Sequence, residues 1–161
     1  MDGVMTLEGV LADRDAWKAE RCSIKRTLDV VGTRSAVLLM REAYYGTTRF
    51  DDFADRVGIT DAVASARLRE LVDAGLLERR PYQEPGKRTR HEYVLTDAGA
   101  DLLPVLLALW QWGDQHLVGE EGPPLLLRHS GCGAPLAVQV RCEEGHDVPL
   151  DEVSVKSPRS R

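Results

Sequence analysis

Two short amphipathic helices joined by a tight turn constrain the fold of this chain more than any other feature. Residues 49–57 carry four apolar side chains at the spacing of one helix face, i, i+3, i+4 and i+7. These are Phe50, Phe53, Ala54 and Val57. Gly58 then turns the chain, Thr60 can cap a second helix, and Gly75 can end it. The sequence therefore predicts a helix-turn-helix.

The second of these helices has an apolar face and a face of small and basic residues. Ala64, Leu68 and Leu71 follow each other at i, i+4 and i+7, and we expect them to be buried. A rotation of about 100° per residue places another set on the opposite side. That set is Ala62, Ser65, Ala66 and Arg69. Small side chains allow a helix to approach the major groove of DNA closely, and Arg69 suits a phosphate or a guanine.

A basic β-hairpin is predicted directly after this helix. Residues 76–82 and 91–96 read as strands, and Pro85-Gly86 between them marks the reversal. Basic residues that suit phosphates or the minor groove lie near the tip, and two more lie on the first strand. They are Lys87, Arg88 and Arg90, and Arg79 and Arg80. Helix, helix-turn-helix and charged hairpin in this order are typical of a winged-helix DNA-binding domain, although solvated charges on a small α+β domain are the alternative.

Further helices are predicted on both sides of this arrangement. Residues 13–31 contain apolar side chains at helical spacing, among them Trp17, and residues 35–45 form a wide apolar stripe. Residues 96–117 carry so many leucines that a lone helix would expose a large apolar patch. We therefore expect a homodimer that covers this surface.

The end of the chain differs in composition from the part before it. Residues 119–124 read as a linker, and residues 125–128 and 136–141 suggest a small antiparallel pair. The predicted fold is α+β and mainly helical, a winged helix-turn-helix domain with dimerisation helices at both ends. We expect this domain to span residues 1–118, and a linker with a small C-terminal β extension to span residues 119–161.

Composition narrows the class of protein. No apolar run approaches the roughly 20 residues of a membrane span, and residues 1–11 lack the pattern of a secretory signal. Three cysteines do not indicate a disulfide framework. Since no nucleophile elbow, phosphate loop or carboxylate pair is present, we expect neither an enzyme nor a cofactor. We expect a cytoplasmic protein with no membrane partner, whose net charge of −5 requires basic residues to be gathered locally if it binds DNA.

Five short motifs occur in sequence between Cys22 and Leu117. They are CSIKRTLDVVGTR at 22–34, RFDDF at 49–53, SARLREL at 65–71, GLLER at 75–79 and YVLTDAG at 93–99. This series resembles that of the HxlR-type winged-helix transcriptional regulators and covers most of the chain. The resemblance implies a bacterial homodimer whose first and last helices pack across a two-fold axis. Each subunit is then expected on one half of an inverted repeat in double-stranded DNA.

The resemblance also assigns DNA-binding residues by position. In the second helix of the helix-turn-helix they are Thr60, Asp61, Ala62, Ser65, Arg67 and Arg69, and in the wing they are Lys87, Arg88 and Arg90. Asp61 favours the positive end of the helix dipole. It would repel a phosphate unless it accepts a hydrogen bond from a cytosine amino group.

Two residues depart from the family pattern. Ser35 stands where the family usually has tryptophan, and Ala64 stands where it usually has leucine in the DNA-reading helix. Both changes reduce side-chain volume near the core. We favour repacking around the smaller side chains, and a pocket for a small-molecule effector is the alternative.

Cys22 lies where some members of the family carry a thiol that responds to oxidants or electrophiles. Its sequence neighbours Arg21, Lys25 and Arg26 would favour a thiolate if they pointed toward it. The interpretation that we favour is a small buried hydrophobic residue near the dimer helices, and a redox thiol is the alternative.

Two Cys-His pairs occur in the C-terminal extension. His129-x2-Cys132 and Cys142-x3-His146 have the residue types and the number of a small structural zinc site. The second pair is spaced more loosely than a paired-cysteine knuckle, and the family's core needs no metal. We therefore favour a β-hairpin extension with incidental thiols and expect no metal.

Two classes of function remain from the sequence. The first is a regulator that binds DNA, and the second is a module that keeps the winged-helix fold but binds protein instead. A mobility shift on DNA adjoining the protein's own gene separates them.

Overall fold

The structure, a computed structural model, describes residues 5–15, 18, 22–83, 85–86 and 88–157. Trp17, Arg21 and Lys87 lie outside the described residues. Contacts between Cα atoms group the chain into two compact units, one of which is Cys22–Pro123 and is here named the helical unit. The other, the terminal unit, combines the described residues before Cys22 with those from Pro124 onward. This grouping differs from the division at residue 118 that the sequence suggested.

The helical unit contains six helices and a two-stranded sheet in its described part, and the terminal unit contains two short strands. In chain order the elements are β1 (Thr6–Leu7), α1 (Ser23–Val31), α2 (Arg34–Tyr44), α3 (Phe50–Val57), α4 (Asp61–Asp73), β2 (Leu77–Tyr82), β3 (Arg90–Leu95), α5 (Asp97–Asp101), α6 (Leu103–His116) and β4 (Ser154–Val155). This mixture of helices with a small β-hairpin confirms the predicted mainly helical α+β winged helix-turn-helix fold.

Local signals in the sequence explain where the central helices begin and end. The Thr33 hydroxyl accepts from Ala36 N at 3.2 Å and caps α2. Gly58 ends α3 with φ +69°, a left-handed conformation that favours glycine. The predicted helices over 35–45 and 49–57 are confirmed, whereas α1 begins only at Ser23.

The core of the helical unit lies where α2, α3 and α4 meet the sheet. The largest fully buried side chains come from these elements and from the start of β2. They are Phe53, Leu39, Met40, Leu68, Leu71 and Leu77. Each such side chain contributes about 1.5–3 kcal/mol through its removal from water. The three helices are therefore held together by shared burial and not by their own helix propensity.

The last helical segment is broken near its start, in contrast to the single helix that residues 96–117 suggested. Thr96 caps α5 by accepting from Gly99 N at 3.0 Å, and α5 ends at Asp101. Pro104 stands in the first turn of α6. Proline lacks the N–H that would bond the carbonyl four residues earlier, and its ring clashes with that carbonyl, so a continuous helix is disfavoured at this point. The expectation of one long helix was wrong for this reason.

The side chain of Tyr44 joins α2 to α5. Its hydroxyl donates to the carbonyl of Gly99 at 2.5 Å. Burial raises the pKa of Tyr44, so the hydroxyl keeps the proton that it donates. A Cβ at position 99 would clash with the Leu76 carbonyl oxygen, so this close approach requires glycine.

The terminal unit is held by short strand pairings and turns. β1 pairs in parallel with β4, with Thr6 opposite Ser154, a pairing that the sequence did not suggest. Instead of the antiparallel strand pair expected over 125–141, there is one isolated bridge between Arg128 and Pro135. None of the described residues of this unit is buried. Across the described part of the chain, no helix is long and apolar enough to span a membrane.

Candidate nucleic-acid interface

The turn between α3 and α4 sets the start of the DNA-reading helix. The Thr60 hydroxyl accepts from Val63 N at 3.4 Å and caps α4. The Ile59 N–H donates back to the Ala54 carbonyl at 3.1 Å, which fixes the chain as it leaves α3. Thr60 is thus a structural cap as well as a residue on the predicted interface.

A buried polar network fixes the end of α2 relative to α3. Glu42 is buried, and its carboxylate accepts from Arg41 Nη2 at 2.7 Å and from the Thr47 hydroxyl at 3.5 Å. Arg56 Nη1, on α3, donates to the same hydroxyl at 2.6 Å. Because a buried carboxylate is costly unless it is paired, these contacts restrain the position of the first helix of the helix-turn-helix.

The two faces of α4 differ as the sequence predicted. Ala64, Leu68 and Leu71 are fully buried, which confirms the inner seam. On the other side Asp61, Ala62 and Arg69 are exposed, whereas Ser65 and Ala66 are half-buried. The surface open to a partner therefore centres on the first turn of α4 and on Arg69.

Arg67 belongs to the helix but is already paired. Its guanidinium forms an ion pair with Glu70, three residues later on α4. Of the two arginines of α4, Arg69 has the more exposed side chain and no ion pair is found for it among the described residues. Arg69 is therefore the more accessible of the two arginines.

The wing is an antiparallel hairpin of β2 and β3. Its register places Arg79 opposite Tyr93 and Tyr82 opposite Arg90. Arg88, Arg90 and Arg79 are exposed, while Arg80 forms an ion pair with Glu78 on its own strand. The wing thus presents positive charge near its tip.

The wing is attached to the helix-turn-helix by an isolated β-bridge and by a contact between aromatic rings. Tyr93 N donates to the Thr48 carbonyl at 2.8 Å, and Arg49 pairs with Glu92 in an antiparallel bridge. The Tyr93 ring meets Phe53 of α3 edge to face, with centroids 6.2 Å apart. These contacts fix the spacing between the wing and α3.

Arg49 is a candidate interface residue that the sequence did not single out. Its guanidinium lies 3.1 Å from the ring centroid of Tyr82, and its Nη1 lies 3.8 Å from the Glu92 carboxylate. Within the described residues this Nη1 makes no hydrogen bond. The only sequence signal was an arginine directly before an amphipathic helix, and its stacking partner lies 33 residues away.

Arg49 also lines an open cleft in the helical unit. This cleft, of about 570 Å³, lies between the start of α3 and the wing. Its basic lining residues are Arg49, Arg79, Arg90 and His91. It carries two aspartates of α3 as well, Asp51 and Asp52. The arrangement suits the phosphate backbone of a nucleic-acid strand that passes along the basic side of the cleft.

Apolar side chains remain uncovered on two helices of the helical unit. α1 exposes Ile24 and Leu28, at 71% and 58%. α6 exposes Val105, Leu109 and Trp112, spaced i, i+4 and i+7, at 48%, 55% and 55%. Leu102 and Leu106 of the same segment pack against the core. Both helices therefore leave apolar side chains uncovered.

A further cleft in the helical unit is not formed at either of the two residues that depart from the family pattern. It has a volume of about 360 Å³ and is lined by residues of α1, of the end of α4 and of α5, but by neither Ser35 nor Ala64. Ala64 is fully buried in the core. This supports repacking around Ala64.

The remaining candidate residues are the cysteines and their neighbours. Cys22 is half-buried and occupies the N-cap position of α1, and all three cysteines are free thiols. In the terminal unit, His129 Nδ1 lies 3.1 Å from Cys132 Sγ, and Cys142 Sγ lies 3.6 Å from His146 Nδ1. The two predicted pairs therefore form, while no three metal-ligating side chains of the described residues lie together.

Comparison with known proteins assigns the family. The model of the HxlR-like helix-turn-helix family matches residues 30–121, more than half of the chain. The chain belongs to the HxlR family. An uncharacterised HTH-type transcriptional regulator of Mycobacterium tuberculosis is 44% identical over 125 residues, covering 76% of this chain and 78% of the relative. This HxlR chain is a helix-turn-helix transcriptional regulator and not an enzyme.

Two solved structures extend the comparison. PA1607, a protein whose assignment as a transcription factor is provisional, is 33% identical with a TM-score of 0.76, over 85% of this chain and 95% of that one. Because the helical unit is less than two thirds of the chain, this match includes part of the terminal unit. The redox regulator HypR in its reduced form is 30% identical with a TM-score of 0.53, over 58% of this chain and 92% of that one.

Proposed function

We propose that this HxlR regulator binds an inverted repeat in double-stranded DNA as a homodimer. Each subunit places the first turn and the exposed arginine of α4 in the major groove, and its wing on the phosphate backbone. The observation that carries the proposal is the two-sided α4. One face is fully buried against α2 and α3, and the other presents Ala62 and Arg69 to solvent.

The division of roles follows from the side chains. Phosphate contacts supply affinity that does not depend on sequence, and Arg49, Arg88 and Arg90 are placed for such contacts beside or on the wing. Base-edge contacts supply sequence preference, and Arg69 suits a guanine through its O6 and N7. Thr60, Asp61, Ala62 and Ser65 at the start of α4 then define how closely the helix approaches the bases.

The homodimer is supported by the uncovered apolar faces of α1 and α6. A monomer would leave Ile24, Leu28, Leu109 and Trp112 in water, an arrangement that soluble monomers usually avoid. A two-fold axis duplicates the reading helix, so a dimer doubles the length of DNA that is read. We therefore propose these two faces as the dimer interface.

DNA binding is tested by mobility shift with a fragment that adjoins the protein's own gene, at several salt concentrations. We expect a shift that survives excess unrelated DNA and whose affinity falls steeply with salt, because released counterions drive phosphate binding. An interaction module without DNA binding gives no shift at low salt, and this result would overturn the proposal.

We further propose that Cys22 couples an oxidant signal to DNA binding. HypR, a redox regulator, shares the fold, and Cys22 lies at the start of α1, beside the proposed dimer face. Peroxide would convert the thiolate to a sulfenic acid and release hydroxide, which adds polarity next to packed helices. A small-molecule effector is the second candidate signal, with the 360 Å³ cleft as its site.

The redox proposal is tested by comparing DNA binding of wild type and Cys22→Ser before and after mild peroxide treatment. We expect wild-type affinity to change several-fold and Cys22→Ser to remain constant. Cys132→Ser is the matched control and should respond as wild type does. If wild type and Cys22→Ser respond alike, or if neither responds, Cys22 is a structural residue.

A further inference from the structure

Two turns of the terminal unit have similar backbone hydrogen bonds. In the first, His129 N donates to the Ala134 carbonyl at 2.8 Å and Gly133 N donates to the His129 carbonyl at 2.7 Å. In the second, Cys142 N donates to the His146 carbonyl at 3.1 Å and Gly145 N donates to the Cys142 carbonyl at 2.9 Å. Both glycines have positive φ, +74° and +83°. Each turn is thus closed by two backbone hydrogen bonds and contains a left-handed glycine, and the first turn is one residue longer than the second.

Each turn is closed by a bridge that begins at an arginine. Arg128 pairs with Pro135 around the first turn, and Arg141 pairs with Asp147 around the second. Arg128 Nη1 also donates to the Gly133 carbonyl at 2.9 Å, and Arg141 Nε donates to the Asp147 carboxylate at 2.7 Å. A repeated, braced turn is more than the incidental hairpin that we favoured from the sequence.

Each turn brings one thiol and one imidazole together. The distance from His129 Nδ1 to Cys132 Sγ is 3.1 Å, and that from Cys142 Sγ to His146 Nδ1 is 3.6 Å. In tetrahedral zinc sites, with Zn–S of about 2.3 Å and Zn–N of about 2.0–2.1 Å, neighbouring sulfur and nitrogen ligands lie roughly 3.5 Å apart. Both pairs are close to this separation, and all four side chains are exposed.

The terminal unit lacks the usual source of stability for a small fold. Not one of its described residues is buried, and its larger apolar side chains are mostly in water. These include Leu125, Leu126, Leu136, Val140 and Leu150. Its two cysteines are free thiols. A unit of this size without a core or a disulfide usually depends on a metal or a partner for its stability.

We propose that the four side chains of His129, Cys132, Cys142 and His146 bind one Zn²⁺ per chain. In the described residues no three such ligands lie together, so the two turns are half-sites that approach each other when the metal binds. Each thiol loses its proton to solvent, and the two thiolates neutralise the charge of the ion. Two thiolates and two imidazoles suit zinc, whereas Mg²⁺ and Ca²⁺ require oxygen ligands.

The proposal is tested on the full chain, prepared without an affinity tag and without chelator. We expect about one zinc per chain by elemental analysis. Replacement of zinc by Co²⁺ should give the intense visible absorption of a tetrahedral site and the near-ultraviolet band of cobalt-thiolate bonds. Cys132→Ser and Cys142→Ser should each weaken Co²⁺ binding at least tenfold, and His129→Ala should do the same. Cys22→Ser, outside the site, should bind Co²⁺ as wild type does.

A second measurement keeps the test decisive if a variant misfolds. Hydrogen exchange of wild type, with and without a chelator, should show that zinc protects the amides of residues 127–148 and leaves those of α2 and α4 unchanged. Absence of a cobalt-thiolate band in reduced wild-type protein overturns the proposal. A stoichiometry of one metal per two chains, with dimerisation that chelator reverses, overturns the single-chain site in favour of one shared between two copies.

Discussion

Arg49 connects the helix-turn-helix to the wing through both its backbone and its side chain. Its backbone pairs with Glu92 of β3, and its guanidinium stacks on Tyr82 of β2. The guanidinium of Arg49 faces the cleft, and that of Arg88 lies near the wing tip. We therefore expect both to contact phosphates. We expect Arg49→Ala and Arg88→Ala to weaken binding to all DNA sequences alike. Each should reduce the magnitude of the slope of log affinity against log salt by roughly 0.9 per subunit, because each subunit of the dimer loses one phosphate contact.

Matched variants separate phosphate contacts from base contacts when DNA affinity is measured over the same series of salt concentrations. Arg49→Lys keeps the charge, so its salt slope should stay near that of wild type even though stacking is lost. Arg80→Ala, whose guanidinium is paired with Glu78, should change the slope little. Arg69→Ala should instead relax the preference at one base pair, at a cost of about 1–3 kcal/mol on the preferred site. An unchanged slope in Arg88→Ala would contradict the assignment of the wing.

Residue burial in α4 was predictable, whereas the environment of Arg49 was not. Ala64, Leu68 and Leu71 repeat with the helix period, and that period alone assigns them to the core. The position of Arg49 depends on a bridge to a strand 43 residues later, and no local pattern encodes such a pairing. Likewise, position along the helix assigned Arg67 to the DNA-binding residues but did not predict its ion pair with Glu70.

At the scale of elements, some apolar side chains of α6 pack against the core and others are exposed to solvent. Leu106 packs against the core, whereas Leu109 and Trp112 are exposed. We expect Leu109→Asp to fold normally but to weaken the dimer at least tenfold, about 1.4 kcal/mol, because a charge would enter the interface. Sedimentation at micromolar concentration measures the effect.

Leu106→Asp is the matched control on the same helix. It places a charge against the core and should lower the free energy of unfolding by several kcal/mol, which circular dichroism during urea denaturation would detect. If wild type sediments as a monomer at micromolar concentration, or if Leu109→Asp dimerises as wild type does, α6 is not the dimer helix.

Element boundaries were predictable where a cap or a glycine marked them. Gly58 and Thr60 lie where α3 ends and α4 begins, as the sequence predicted. The break between α5 and α6 was missed although Pro104 was visible, because the leucine pattern runs continuously through it. The pairing of β1 with β4 was also missed, since two-residue strands from opposite ends of a chain leave no periodic signal.

At the scale of the whole molecule, the chain joins a helical unit with a packed core to a terminal unit without one. The first carries the proposed DNA and dimer surfaces. The second carries the proposed metal site. The terminal unit is held by turns and isolated bridges. For this reason the sequence could identify its two Cys-His pairs but not the backbone hydrogen bonds around them.

The central claim is that two copies of α4, related by a two-fold axis, read two half-sites. Selection of binding sites from random double-stranded DNA by the purified full chain tests it most directly. The account predicts enrichment of an inverted repeat whose half-site centres lie about 10 base pairs apart, roughly 34–36 Å, or a multiple of that spacing. Enrichment of a single asymmetric site, or of no sequence at all, would contradict it.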